Sequence, residues 1–412
     1  MSAARLRIGL FTHSVNPRGG VVHTLELARA LGAAGHEVSV VAPAGPGERM
    51  FRRDGEGEAY RVVLAHTRAQ AADTVSMVAT RIAAIRAAFD RRELARFDVL
   101  HAQDSISGNA LAEWKAEGAI PGFLRTVHHL DTFADPRLTA WQRRAWRDAD
   151  RVLCVSAAWT ARMRDEHGVA ALQVANGVDV ERFGSARAAD IDAIRRRFGL
   201  HEAGPIVLAI GGIEARKNTR ALLEAFALLR RAQPGMQLVI AGGASLLDHD
   251  AYTRGFVARA AELGLKIGAG EAVVAAGTLD DTQIVALLHA ADVVSMVSLR
   301  EGFGLVVLEA LAAGRPVVVS RIAPFNEHLD ARTAVWADPG EPASIAAALR
   351  DALDGRRLPD FREAVPALLA RFGWAASAAA HLAIYRDWLR ASARGPAGEL
   401  ADPLPITAPQ ET

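Results

Sequence analysis

One cysteine, three lysines and three tyrosines are all that 412 residues contain of those types. A lone Cys154 excludes an internal disulfide and a cysteine-ligated zinc site. Its place in the run Arg151-Val152-Leu153-Cys154-Val155-Ser156 reads as a buried thiol in a strand rather than a nucleophile. Long apolar runs are missing too. No stretch approaches the roughly 18 residues of a membrane span, and the run at residues 8–11 is too short for a secretory signal. The expectation is a cytoplasmic protein without a span, with peripheral contact to a membrane surface left open. Net charge is only +1, so bulk electrostatics offers no hold on nucleic acid. No G-x-G-x-x-G opens a helix after a strand, which removes the main support for a nicotinamide dehydrogenase.

What the chain does have is alternation. Short apolar runs lie at residues 8–12, 38–42, 62–65, 99–102, 123–127, 152–155 and 172–174. More lie at 206–210, 238–241, 273–275, 293–297, 317–319 and 334–336. Helix-period segments follow most of them. Strands alternating with helices indicate βαβ units and parallel sheets, and continuous rather than alternating apolar runs fit strands covered on both faces. So many strands exceed one comfortable sheet, so the expected class is α/β with two doubly wound domains. The first spans 1–185, a charged linker 186–203 with a short helix at 190–198, and the second 204–370. Residues 368–389 are alanine-rich and read as one helix. The proline-containing tail 395–412 reads as disordered.

The candidate chemistry collects in loops after strands, where ligands of open parallel sheets bind. Residues 291–325 read strand, glycine loop, helix, strand, with Glu301 and Glu309 eight positions apart. The amides of Phe303, Gly304 and Leu305 at the helix start suit phosphate. Carboxylates there would repel phosphate but accept two hydrogen bonds from a vicinal diol; glycosidase acid/base work is the other use of such a pair. Arg216 and Lys217, in a strand-to-helix loop, suit a diphosphate. Gly19 and Gly20 lead into a helix and fit either a backbone platform for a ligand or a plain turn. At the end of the fifth run stand His128 and His129. Extended backbone would send them to opposite faces, and His128 is preferred as the ligand-facing one; local hydrogen bonding is its other use. Asn176-Gly177 is first a turn signal. The arginines at residues 81–96 read as a solvated helix face, and Arg49, Arg52 and Arg53 as solvated loop charge.

These residues carry a resemblance. Pro17-Arg18-Gly19-Gly20, Thr126-Val127-His128, Asn176-Gly177-Val178-Asp179, Glu214-Ala215-Arg216-Lys217-Asn218 and Glu301-Gly302-Phe303-Gly304 through Glu309-Ala310 fall in the order seen in the retaining glycosyltransferases of family 4. The resemblance covers about residues 5 to 390. It implies the GT-B fold, two facing Rossmann-like domains with a cleft between them, and a closing helix at 371–394 that crosses back to the first domain. It implies hexose transfer from a nucleotide diphosphate sugar with retention, without metal or other cofactor, by same-face attack with the leaving phosphate as base. It also implies roles: Gly20 near the diphosphate, His128 by the reaction centre, Arg216 and Lys217 on the diphosphate, Glu301 on the donor sugar and Glu309 on the ribose.

Departures limit the carry-over. Gly212 stands where many members have arginine. The exit Arg321-Ile322-Ala323-Pro324-Phe325-Asn326-Glu327 replaces the usual Gly-Gly-x-Pro-Glu, so donor identity does not transfer. His129 replaces a common aspartate. The segment His101 to Ser107, together with His128-His129-Leu130-Asp131, resembles a narrower subgroup from which no substrate is carried. The acceptor (small molecule, glycan or lipid) and the oligomeric state stay open. The alternatives are a nucleotide-sugar-binding protein without transfer, a GT-B epimerase, or a phosphorylase, the last hampered by having only Lys115, Lys217 and Lys266 for a pyridoxal group.

Overall fold

The computed structural model describes residues 4–52, 59–67, 71, 73–243, 250–356 and 358–393; Arg53 and the tail 395–412 lie outside the described residues. Each apolar run is a strand. In chain order these are β1 (Arg7–Phe11), β2 (Glu37–Ala44), β3 (Arg61–His66), β4 (Val99–Ala102), β5 (Leu124–Val127), β6 (Arg151–Cys154) and β7 (Leu172–Gln173), then β8 (Ile206–Ile210), β9 (Gln237–Ala241), β10 (Val273–Gly277), β11 (Val293–Met296), β12 (Val317–Ser320) and β13 (Val335–Ala337). Two parallel sheets result, ordered β3-β2-β1-β4-β5-β6-β7 and β10-β9-β8-β11-β12-β13. Double burial explains the unbroken apolar runs. In β1, Ile8 and Leu10 pack with the helix Gly19–Ala33, while Phe11 packs on the other face with Trp114. Each such side chain is worth about 1.5–3 kcal/mol when fully buried. Cys154 lies in β6, fully buried, and burial pushes its thiol up to about 12.

Strand order reverses between β1 and β4 and again between β8 and β11. These are the switch points at which crevices open in such sheets. The loops that leave them hold His13 to Arg18 and Gln103-Asp104 in the first domain, and Gly211 to Asn218 and Val297 to Gly304 in the second.

The short helix expected at residues 190–198 is the helix Ala188–Phe198, whose Ile194 and Phe198 sit in the second domain's core. Two local expectations are corrected. The helix expected over 368–389 is two helices, Leu358–Ala370 and Trp374–Ala393. The chain breaks where it changes cores. Leu368, Leu369 and Phe372 pack in the second domain, and the Phe372 carbonyl accepts the Val178 N–H at 2.9 Å. Leu382, Tyr385 and Trp388 then pack in the first domain's core. Of the arginines of residues 81–96, Arg81 and Arg86 lie on the helix Thr74–Ala87, Arg91 and Arg92 on the helix Arg91–Leu94 and Arg96 in the turn after it, and three are engaged, Arg91 donating to the Glu117 carbonyl at 2.8 Å. Arg81 donates to the His13 carbonyl at 2.9 Å, and Arg86 pairs with Glu113 and Glu117. No helix among the described residues is long and apolar enough to cross a membrane.

Candidate functional site

A cleft of about 950 Å³ opens between the two domains, and every residue singled out as catalytic or donor-binding lines it. That volume suits a ligand site, for which ~300–1,000 Å³ is typical.

On the second-domain wall the loops after β8 and β11 meet. Lys217 Nζ donates to Glu301 Oε1 at 2.7 Å, Ser298 Oγ donates to the same oxygen at 2.7 Å, and Arg216 Nη1 lies 3.3 Å from it. Arg216 also donates to the Arg300 carbonyl at 3.2 Å. Burial pushes the Glu301 carboxyl up, but the charges of Lys217 and Arg216 outweigh burial and hold it at about 2. The carboxylate assigned to a sugar and the cations assigned to a diphosphate are therefore one ion cluster. Gly304, with φ +88°, turns the chain into the helix Leu305–Ala312, in a conformation that glycine adopts without strain. The first N–H groups of that helix lack intrahelical partners.

Glu309, half-buried on the same helix, sits apart from that cluster. Burial pushes its carboxyl up to about 7; Glu26 and Asp281 add to the rise, and Arg52 and Arg182 oppose it. These four form a network across the domains. Arg52 donates to Glu26 at 2.7 Å and pairs with Asp281 of the second domain, and Arg182 pairs with Glu26. Arg52, expected as solvated loop charge, has a side chain only 9% exposed.

On the first-domain wall, Gly19 and Gly20 open the helix Gly19–Ala33. The backbone of Gly20 lies against the His128 ring, since a side chain there would begin 3.7 Å from His128 Cδ2. Both His128 and His129 line the cleft, contrary to expectation, because β5 ends at Val127 and the chain is no longer extended. His129 Nε2 lies 3.4 Å from Asp131. His128 packs edge-on against His23 at 4.6 Å. Burial first, then the nearby His23 and Arg125, hold its pKa well below the ordinary 6.5. It is a neutral imidazole with one donor and one acceptor nitrogen, and its Nε2 is buried without a hydrogen-bond partner. Asn176 also lines the cleft, and Asp179 caps the helix Val180–Phe183.

Sequence reasoning missed the groups that tie the walls together. The Trp159 indole of the first domain donates to the Glu301 carbonyl at 2.9 Å. Glu327 accepts the N–H groups of Ala157 and Ala158, both at 2.8 Å, capping the first domain's helix Ala157–His167 from the second domain. The unusual exit at residues 321–327 was the available signal for Glu327.

Comparison with known proteins bears on both halves. The profile of glycosyltransferase family 4 matches residues 17–182, and that of glycosyl transferases group 1 matches residues 190–365. The chain is 30% identical over 396 residues to a glycogen synthase of Mycobacterium tuberculosis, covering 88% of this chain and 89% of the relative. It is 34% identical over 220 residues to D-inositol 3-phosphate glycosyltransferase 2 of Catenulispora acidiphila, covering 51% and 48%. The sucrose-phosphate synthase structure from Thermosynechococcus elongatus matches with TM-score 0.74 at 22% identity, covering 94% of this chain and 100% of that one. Anabaena HepE, solved with UDP and glucose, matches with TM-score 0.73 at 19% identity, covering 93% and 100%. These last two are likenesses of fold.

Proposed function

The chain belongs to glycosyltransferase family 4 and has its GT-B fold, and from that premise we propose that it moves a hexose from a nucleotide diphosphate sugar to a hydroxyl acceptor, with retention at the anomeric carbon and without a metal. The observation that carries the reading is the Arg216–Lys217–Glu301 cluster, which lies in the same cleft as His128. The two cations take the diphosphate, helped by the amides of Phe303, Gly304 and Leu305. Glu301 takes hydroxyls of the donor sugar and Glu309 those of the ribose. Gly19 and Gly20 let the first domain's backbone approach the ligand. Glu301 Oε1 already accepts from Lys217 and Ser298, which suits a holding role better than nucleophilic attack. His128, neutral, hydrogen-bonds beside the anomeric centre. The bond from that carbon to the diphosphate oxygen breaks, the bond to the acceptor oxygen forms on the same face, and the leaving diphosphate takes the acceptor's proton.

A thermal-shift screen of UDP-, GDP- and ADP-sugars tests this, because a ligand that binds only the folded state raises the melting temperature. UDP-sugars come first, since one fold neighbour was solved with UDP. One donor should stabilise the protein and be slowly hydrolysed, with both effects lost in Glu309→Ala. If no nucleotide sugar stabilises it, the reading fails.

A further inference from the structure

The first-domain side of the cleft holds a buried cation that the donor does not use. Arg125, in β5, lines the cleft and is 4% exposed. Its Nε and Nη1 are buried and hydrogen-bonded to nothing among the described residues. A guanidinium cannot shed its charge to escape such a place, so the site favours an anion. Gln103 follows the end of the neighbouring strand, one residue past Ala102, the register partner of Arg125, and opens on the same cleft. Gln103 is 1% exposed, lines the cleft, and has both amide atoms without a partner.

No carboxylate among the described residues hydrogen-bonds the Nε or Nη1 of Arg125. Asp104 is within electrostatic reach of Arg125; its Oδ1 accepts the Ser107 N–H at 2.8 Å, and its Oδ2, buried without a hydrogen-bond partner, lies 3.5 Å from His13 Nδ1. Arg18 lines the same cleft, and the charges of Arg18 and Arg81 repel. Glu214 faces Arg18, and Glu48 and Asp104 face Arg81. The donor cations are elsewhere, tied to Glu301. The charge of Arg125 reaches His128, which places the two groups in one neighbourhood.

We propose that Arg125 and Gln103 form the acceptor subsite, and that the acceptor is a small hydroxylated molecule carrying an oxyanion, either carboxylate or phosphate. The oxyanion sits on the Arg125 fork, which matches either group with two hydrogen bonds. Gln103 reads a hydroxyl with its amide, and the reacting hydroxyl faces His128. This assignment rests on the transferase reading above. In the reaction the acceptor oxygen gains the anomeric carbon and its proton leaves with the nucleoside diphosphate.

The test uses the full chain saturated with whichever of UDP, GDP and ADP binds, so that the donor phosphate site is filled. Inorganic phosphate, D-glycerate and neutral glycerol are titrated by calorimetry, and the titrations are repeated on Arg125→Met and Arg125→Lys. At least one anion should bind, glycerol should bind at least ~10-fold more weakly, and Arg125→Met should lose ~10-fold or more in anion affinity while Arg125→Lys loses less. Phosphate binding without glycerate binding identifies a phosphorylated acceptor, and the reverse a carboxylated one. Glycerol binding as tightly as the anions overturns the proposal, as does equal anion affinity in both variants and the parent. Nucleotide binding separates the two readings. If none of UDP, GDP and ADP binds but phosphate binding still depends on Arg125, the donor reading falls and the anion site stands. If Arg125→Met does not fold, the Arg125→Lys comparison decides alone, and unchanged anion affinity there overturns the proposal.

Discussion

A side chain on Gly302 would begin 2.3 Å from the carbonyl oxygen of His128. The two residues belong to different domains, so the glutamate loop and the histidine strand end meet backbone to backbone. One residue earlier, Trp159 holds the Glu301 carbonyl from the first domain. Neither backbone has a flexible end that can give way, so alanine at 302 must push the two walls apart. Gly302→Ala should lower kcat/KM by about 10²-fold, the scale of a 1 Å misplacement of reacting groups. Its melting temperature should fall only modestly, because each domain's core is untouched. Steady-state kinetics with the best donor, alongside a melting curve, checks this; unchanged kcat/KM would mean that the contact has no part in turnover.

The Lys217–Glu301 pair makes stability in acid a readout of the site. Glu301 falls from its ordinary 4.5 to about 2 in the fold. A depressed carboxyl contributes stability that is fully present above 4.5 and is lost as pH falls through about 2. Lys217→Ala removes the strongest opposing charge and leaves Glu301 buried with Arg216 and Ser298, which raises the folded pKa. Removing one partner of a buried pair costs about 3–5 kcal/mol. Lys217→Ala should therefore melt lower at neutral pH and begin acid unfolding at higher pH than the parent, while Glu301→Gln should lose this acid dependence. Circular dichroism during acid titration decides it, and coincident titrations of parent and Lys217→Ala would refute the pairing.

Much of this architecture was legible, and for one reason: burial on both faces writes each strand as an unbroken apolar run, as in Ile206–Ile210. The helix over 368–389 was misread because alanine propensity is local, whereas the break at Phe372-Gly373 is set by Val178, which belongs to the other domain's end. In the site, residue types were legible and partners were not. Glu301 and Lys217 are 84 positions apart, Arg52 and Asp281 229 apart, and Glu327 and Ala157 170 apart. No local pattern encodes such pairs. Arg52 looked solvated because nothing within its own loop suggests Glu26 or Asp281. Arg125 lies within the apolar run 123–127 and drew no reading there; its unpartnered Nε and Nη1 show only in the fold, where β4 and β6 flank its strand.

Glu309 yields a prediction of opposite sign to Glu301. Its carboxyl rises from 4.5 to about 7, so the folded chain holds a proton there that the unfolded chain releases. A raised carboxyl contributes stability that is fully present below 4.5 and is lost as pH rises through about 7. Glu309→Gln, which cannot ionise, should therefore gain in melting temperature relative to the parent between about pH 5 and pH 8. Donor binding should run the other way. If Glu309 accepts the ribose hydroxyls, the ionised form binds better, so the affinity for an intact nucleotide sugar should rise with pH through about 7. An intact nucleotide sugar is the right probe because its diphosphate does not titrate near neutrality. The two slopes share one proton: binding that favours the carboxylate must lower its pKa, and the melting temperature of the loaded protein should lose its fall between about pH 4.5 and pH 7. Calorimetric titrations at about pH 6 and pH 8, with Glu309→Gln as the flat reference, measure both. A donor affinity equal at the two pH values would remove Glu309 from the ribose site and leave it as a half-buried neighbour of the Arg52–Glu26–Asp281 network.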